Sequence, residues 1–142
     1  MNTDIDALYY NAVDLLKDMI STPSFSREEH TVSDVIANCM CKMGFEPQRE
    51  GNNLWIKNKD FDDAKPTILL NSHMDTVRPV AGWTRDPFVA EIAEETLYGL
   101  GSNDAGASLV SLLHVFFLLT SKIQDYNVIF LASCEEEVSG NG

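Results

Sequence analysis

The stretch spanning residues 66–77, PTILLNSHMDTV, constrains the chain more than any other. Thr67-Ile68-Leu69-Leu70 is an apolar run too short for a helix and reads as a buried strand. The run stops on Asn71-Ser72 and delivers His73 and Asp75, one residue apart. In extended backbone, residues i and i+2 point to the same side. Both side chains would then face one place at the carboxyl end of a central strand, where open α/β sheets put their ligands. A metal-binding histidine usually has its second ring nitrogen held by a carboxylate, which fixes its tautomer and orientation. His73-Met74-Asp75 can supply ligand and orienter, and it equally describes a strand-end histidine beside a turn aspartate.

Residues 127–132, NVIFLA, form a second buried strand that ends in Ser133-Cys134-Glu135-Glu136-Glu137. Between the two strands, residues 107–120 are apolar on most of a helix surface, so this helix should be sandwiched in the core, with His114 packed inside it. Asp104 stands just before it, the place of an N-cap aspartate. Upstream, the apolar spacing of Ile5, Leu8, Ala12, Leu15, Leu16 and Met19 predicts one helix over residues 4–20. A second follows a capping-box pattern, Ser26 with Glu29 three residues on. It buries Val32, Val35, Ile36, Cys39, Met40 and Met43 and is capped by Gly44, with His30 solvated in its first turn. Residues 45–50 and 54–58 flank Gly51-Asn52-Asn53 as a hairpin, and residues 88–93 and 96–98 predict two further strands. The order implies a single α/β domain over residues 1–142, a mixed sheet layered with helices.

Acidic residues outnumber basic ones 22 to 10, a formal charge of −12. Nucleic acids and anionic membranes both need basic patches, so neither is an expected partner. Cys39, Cys41 and Cys134 are odd in number and lack C-x-x-C spacing, which indicates neither a disulfide framework nor a zinc finger. The N-terminus has no basic-then-apolar signal pattern, and the apolar run over residues 109–119 is too short to span a bilayer, so a cytoplasmic location is expected.

Asp75 and His73 after one strand, Asp104 before the core helix and the glutamates after the other strand occupy comparable places. A borderline metal such as zinc takes imidazole and carboxylate ligands together. Carboxylates gathered this closely repel without a cation, and a free carboxylate beside them can shuttle a proton. Taken singly, the glutamates also describe a solvated acidic loop.

SHMDTV, GWTRDPF, LYGLGSNDAGAS and SCEEEVSGNG, in this order, resemble the dinuclear-zinc aminoacylase/acetylornithine deacetylase family. That family also includes succinyl-diaminopimelate desuccinylase and glutamate carboxypeptidases. The resemblance implies a zinc-peptidase catalytic domain with two zinc ions (cobalt can substitute), an N-acyl amino acid as small-molecule substrate and a homodimeric full-length enzyme. It maps His73 to a ligand of one zinc, Asp75 to the residue orienting it, and Asp104 to the aspartate bridging both metals, often followed by a cis peptide. With Glu135 at the first position of the acidic-Glu-Glu motif, Glu136 is the general base and Glu137 a ligand of the second zinc. A one-residue slip makes them Glu135 and Glu136. The phrases GSNDAGAS and EEEVSG look most like the branch deacylating N-acetylornithine or N-acyl-citrulline in arginine biosynthesis. Where the family usually has Lys-Gly after the bridging aspartate, this chain has Gly106 and Ala107.

The family also needs a further acidic ligand, a C-terminal histidine and a lid or dimerisation domain beyond these motifs. The chain is therefore expected to be the truncated N-terminal portion of such a catalytic domain, with little or no turnover of its own. Two alternatives stay open, an aminopeptidase or dipeptidase of the same clan and a non-catalytic remnant.

Overall fold

Two amphipathic helices open the chain in a computed structural model that describes residues 4–138. Ser139, Gly140, Asn141 and Gly142, the end of the last motif, lie outside the described residues. Helix α1 (Ile5–Ile20) starts on Asp4, whose carboxylate accepts the Asp6 N–H at 3.0 Å and so satisfies one orphan donor of the first turn. Its buried stripe is Leu15, Leu16, Met19 and Ile20. Helix α2 (His30–Lys42) buries Val32, Ile36 and Met40, and the chain leaves it through Gly44 at φ +81°, a left-handed conformation that glycine adopts without steric cost.

The expected capping box at the start of α2 is not formed. Ser26 donates its hydroxyl to Asp75 at 2.7 Å and accepts no first-turn N–H, and Glu29 is the residue flanking the first turn. Segment 24–26 runs alongside residues 75–76, bonded through Thr76 N–H to the Ser24 carbonyl at 2.9 Å, so a tertiary partner replaces the local cap.

Strands β1 (Gln48–Glu50) and β2 (Asn53–Lys57) form the expected hairpin, with Glu50 opposite Asn53 and the turn on Gly51-Asn52. Strand β3 (Thr67–His73) follows. A separate two-stranded hairpin, β4 (Glu91–Ala93) and β5 (Thr96–Tyr98), comes next. It is shorter than expected because the Asp86 carboxylate turns the chain at Phe88 by accepting its N–H at 2.9 Å. Helix α3 (Ala107–Leu119) then carries the chain to β6 (Asn127–Ser133).

The main sheet has the order β1-β2-β6-β3. β6 runs antiparallel to β2 and parallel to β3, placing Val128 beside Ile68, Phe130 beside Leu70 and Ser133 beside His73. This is the mixed sheet layered with helices that was expected. Alternate residues Leu54, Ile56, Val128, Phe130 and Ala132 are buried with Ile36, Leu109, Leu113 and Phe116 of the helices. The opposite face carries Trp55, Ile129 and Leu131 half-buried. β3 corrects the first expectation: it is an edge strand, with Leu69 57% exposed and Ile68 42% exposed.

With the turn before it, the stretch Ser102–Leu119 is apolar and long enough by composition to cross a membrane, at mean hydropathy 1.3. The stretch is broken by non-helical backbone at Asp104 and Ala105. The regular helix beyond it buries Leu109, Leu113 and Phe116 completely, which is the pattern of a core helix.

Candidate metal centre

The parallel pairing of β3 and β6 sets the site, because it brings the two strand ends level, His73 beside Ser133. One strand therefore delivers His73 and Asp75 where the other delivers the glutamates. Asp104 arrives from the third side. It does not cap α3: its backbone departs from helical geometry in the wide turn Ser102–Gly106, its peptide bond to Ala105 is cis, and its carboxylate turns to His73. Gly106 closes that turn by donating its N–H to the Gly101 carbonyl at 2.9 Å. A Cβ at position 106 would stand 2.6 Å from that carbonyl oxygen and 2.6 Å from Leu16, so only glycine allows the approach.

His73 is held at both ring nitrogens. Nδ1 lies 2.9 Å from the Asp75 carbonyl oxygen and 3.4 Å from its carboxylate, so Nδ1 carries the hydrogen and donates to Asp75. Nε2 then presents a lone pair 3.1 Å from Asp104 Oδ1 and 3.8 Å from Glu136 Oε2. A lone pair facing two carboxylates is unfavourable unless a proton or a cation lies between them. Burial pulls the His73 imidazole down, but its bonds to Asp75 and Asp104 and the charges of Asp75 and Glu136 outweigh burial, and the net direction is up.

Ligand atoms of His73, Asp104 and Glu137 lie within 4.8 Å of one another. Burial, and next the Asp104 charge, push the Glu137 carboxyl above its usual range, with Glu136 and Asp75 adding and His73 opposing. An imidazole with converging carboxylates under mutual repulsion is the donor set of a divalent ion such as zinc, so these residues fit a metal. Glu136 stands beside them with its side chain 60% exposed, open to solvent or substrate. Glu135 turns elsewhere, into an ion pair with Arg27 at 3.3 Å. His30 is exposed on α2, and His114 is buried on α3 with Nδ1 bonded to the Val110 carbonyl at 2.8 Å, so neither joins the cluster.

Sequence reasoning missed two members of this region. Ser26 and Glu29 were assigned to a helix cap, whereas both bond to the segments that carry the site. A signal existed for Glu29. It lies three, four and seven residues before Val32, Ser33 and Ile36, on the extension of the buried stripe of α2, where a charge is not otherwise accommodated.

A mixed sheet that gathers an imidazole and carboxylates at the ends of two parallel strands is the architecture of a metallopeptidase-like α/β domain. The sequence profile of peptidase family M20/M25/M40 matches residues 69–142, and the chain belongs to that family. It is 29% identical over 135 residues to a succinyl-diaminopimelate desuccinylase of Acinetobacter baumannii, covering 89% of this chain and 35% of that protein. The chain thus spans about a third of the length of the curated relatives it matches.

Solved structures share the fold. A dipeptidase of Saccharomyces cerevisiae superposes with a TM-score of 0.74 at 20% identity, over 96% of this chain and 34% of that one. Human carnosine dipeptidase 1 gives 0.72 at 22% identity, over 95% and 34%. A dinuclear metal-binding peptidase of family M20 from Bacillus subtilis gives 0.69 at 18% identity, over 94% and 37%.

Proposed function

We propose that this chain carries part of the catalytic centre of a zinc-dependent amide hydrolase that removes the acyl group from an N-acyl amino acid. The observation that carries the reading is the convergence of His73, Asp104 and Glu137 within 4.8 Å, with the Glu136 carboxylate 3.8 Å from the same imidazole. When bound, a divalent ion supplies Lewis acidity toward the scissile carbonyl. Asp75 holds the His73 ring so that Nε2 faces the site, and Asp104 and Glu137 complete the donor set. Glu136, the free carboxylate, takes a proton from the attacking water and returns it to the leaving amine.

Support for a deacylase comes from similarity to a desuccinylase, and the motifs GSNDAGAS and EEEVSG narrow the reading to N-acetylornithine or N-acyl-citrulline, in arginine biosynthesis. The dipeptidases among the solved structures favour a second reading, cleavage of a free-amine dipeptide by the same residues. In either case the whole protein works as a cytoplasmic homodimer, and this chain alone turns over little substrate.

Calorimetric zinc titration tests the reading. The chain should bind zinc, and the His73→Ala, Asp104→Ala double variant should not. Equal binding by both would sink the site. In the whole protein, Glu136→Gln should keep zinc and lose hydrolysis, and faster cleavage of N-acetylornithine than of a dipeptide would separate the two substrate classes.

A further inference from the structure

The turn that presents the glutamates has no secondary structure to hold it, and Glu135 adopts φ +59° within it. Its backbone N–H groups are nevertheless engaged. Four consecutive N–H groups donate to side chains from other segments. Cys134 donates to Asn53 at 2.9 Å, Glu135 to Glu29 at 3.1 Å, Glu136 to Asp75 at 3.1 Å and Glu137 to the other Asp75 oxygen at 3.0 Å.

Glu29 stands out among these acceptors because it is fully buried and has no basic partner among the described residues. A buried carboxylate is costly unless several donors satisfy it. Here Oε1 accepts from the Arg27 N–H at 2.8 Å and from Glu135, and Oε2 accepts from the Asn52 side chain at 2.8 Å. The carboxylate therefore ties three segments together: the turn before α2, the β1–β2 hairpin and the acidic turn.

We propose that Glu29 is a positioning residue, whose buried carboxylate sets the conformation of the 134–137 turn and so aims Glu136 and Glu137 at His73 and Asp104. The aim rests on the metal-site reading above; the setting of the turn does not.

Two variants of the 142-residue chain separate geometry from charge. Glu29→Asp keeps the charge and remains a good helix-flanking residue, but is one methylene short of the Glu135 N–H. Glu29→Gln loses the charge yet keeps an acceptor for both backbone N–H groups, provided the Asn52 amide flips to accept from its NH2. In native-state amide exchange, Glu29→Asp should speed exchange at Glu135, Glu136 and Glu137 by about tenfold more than in central β6. Zinc affinity should fall by about 10- to 100-fold, while Glu29→Gln stays within about threefold of the parent on both measures.

A uniform rise in exchange across turn and sheet would show a merely structural role and overturn the proposal, as would faster turn exchange with unchanged zinc affinity. Loss in Glu29→Gln with Glu29→Asp unchanged would also overturn it, making the charge rather than the reach decisive. If the parent chain binds no zinc, the metal-site reading and the aim fall together, and the exchange pattern alone decides whether Glu29 sets the turn.

Discussion

β3 and β6 are seven-residue strands that lie side by side, parallel and in register, and both deliver site residues from their carboxyl ends. Their surroundings differ sharply. β6 is paired on both edges, and Val128, Phe130 and Ala132 sit in the core, while β3 pairs on one edge only and leaves Ile68 and Leu69 exposed. The lesson is that the site stands on one rigid support and one weakly supported neighbour. The glutamate turn leaves the well-packed end of β6 and is held by Asn53, Glu29 and Asp75, whereas His73 relies on its parallel pairing and on the same Asp75, which is completely buried.

The largest break in this comparison comes from β6. Phe130 is fully buried against the helices, so Phe130→Ala should lower unfolding free energy by about 3–5 kcal/mol in urea titration. A loss comparable to that of an exposed β3 residue would contradict the assignment of the core. Asn127 comes next. Its buried amide accepts from Asp62 N–H at 2.9 Å and donates to the Asp62 and Lys65 carbonyls at 2.8 and 3.3 Å, pinning the 59–65 loop to the start of both strands. Asn127→Ala strands these groups and should cost about 1–3 kcal/mol, with faster amide exchange at Asp62.

Much of this was legible in the sequence. The i, i+2 spacing of His73 and Asp75 put both side chains at one place, and the structure brings the imidazole to 3.4 Å from the Asp75 carboxylate, with the Asp75 carbonyl nearer at 2.9 Å. Helical spacing located α1 and α2. The edge position of β3 was not legible, because a four-residue apolar run looks the same whether its neighbours are present on one edge or two. Ser26 and Glu29 were misassigned for a different reason. A local capping pattern is visible within four residues, but the competing acceptors and donors come from Asp75, Asn52 and Glu135, far along the chain. At Asp104, spacing alone describes an N-cap before an apolar helix, and it took the family resemblance to place the residue at the site, because the partner that claims it, His73, lies far along the chain.

The third prediction concerns the helix that covers both strands. His114 on α3 is buried, its Nδ1–H spent on Val110 and its Nε2 without a partner among the described residues. Burial lowers its folded pKa, and the Val110 bond opposes this only in part. The unfolded chain therefore binds the extra proton first as pH falls, so stability is complete above the unfolded value of about 6.5 and declines from there down to the folded pKa. Urea midpoints measured from pH 7.5 to 5 should show this loss, and His114→Leu should flatten it. An unchanged acid limb in the variant would place the titration elsewhere.

The smallest expected effect on folding is the one that sharpens the contrast most. Leu69 lies on the half-open sheet face of the edge strand, beside Ile129 of β6, and is mostly exposed. Leu69→Lys should therefore change unfolding free energy by no more than about 0.5 kcal/mol. Its effect on association should be much larger. An unpaired strand edge with exposed apolar side chains invites a second chain, and a lysine there opposes it by charge and by hydration. Sedimentation should show the parent chain associating with rising concentration and the lysine variant remaining monomeric. A parent that stays monomeric would mean the edge is tolerated as it stands; a variant that still associates would move the contact to another face.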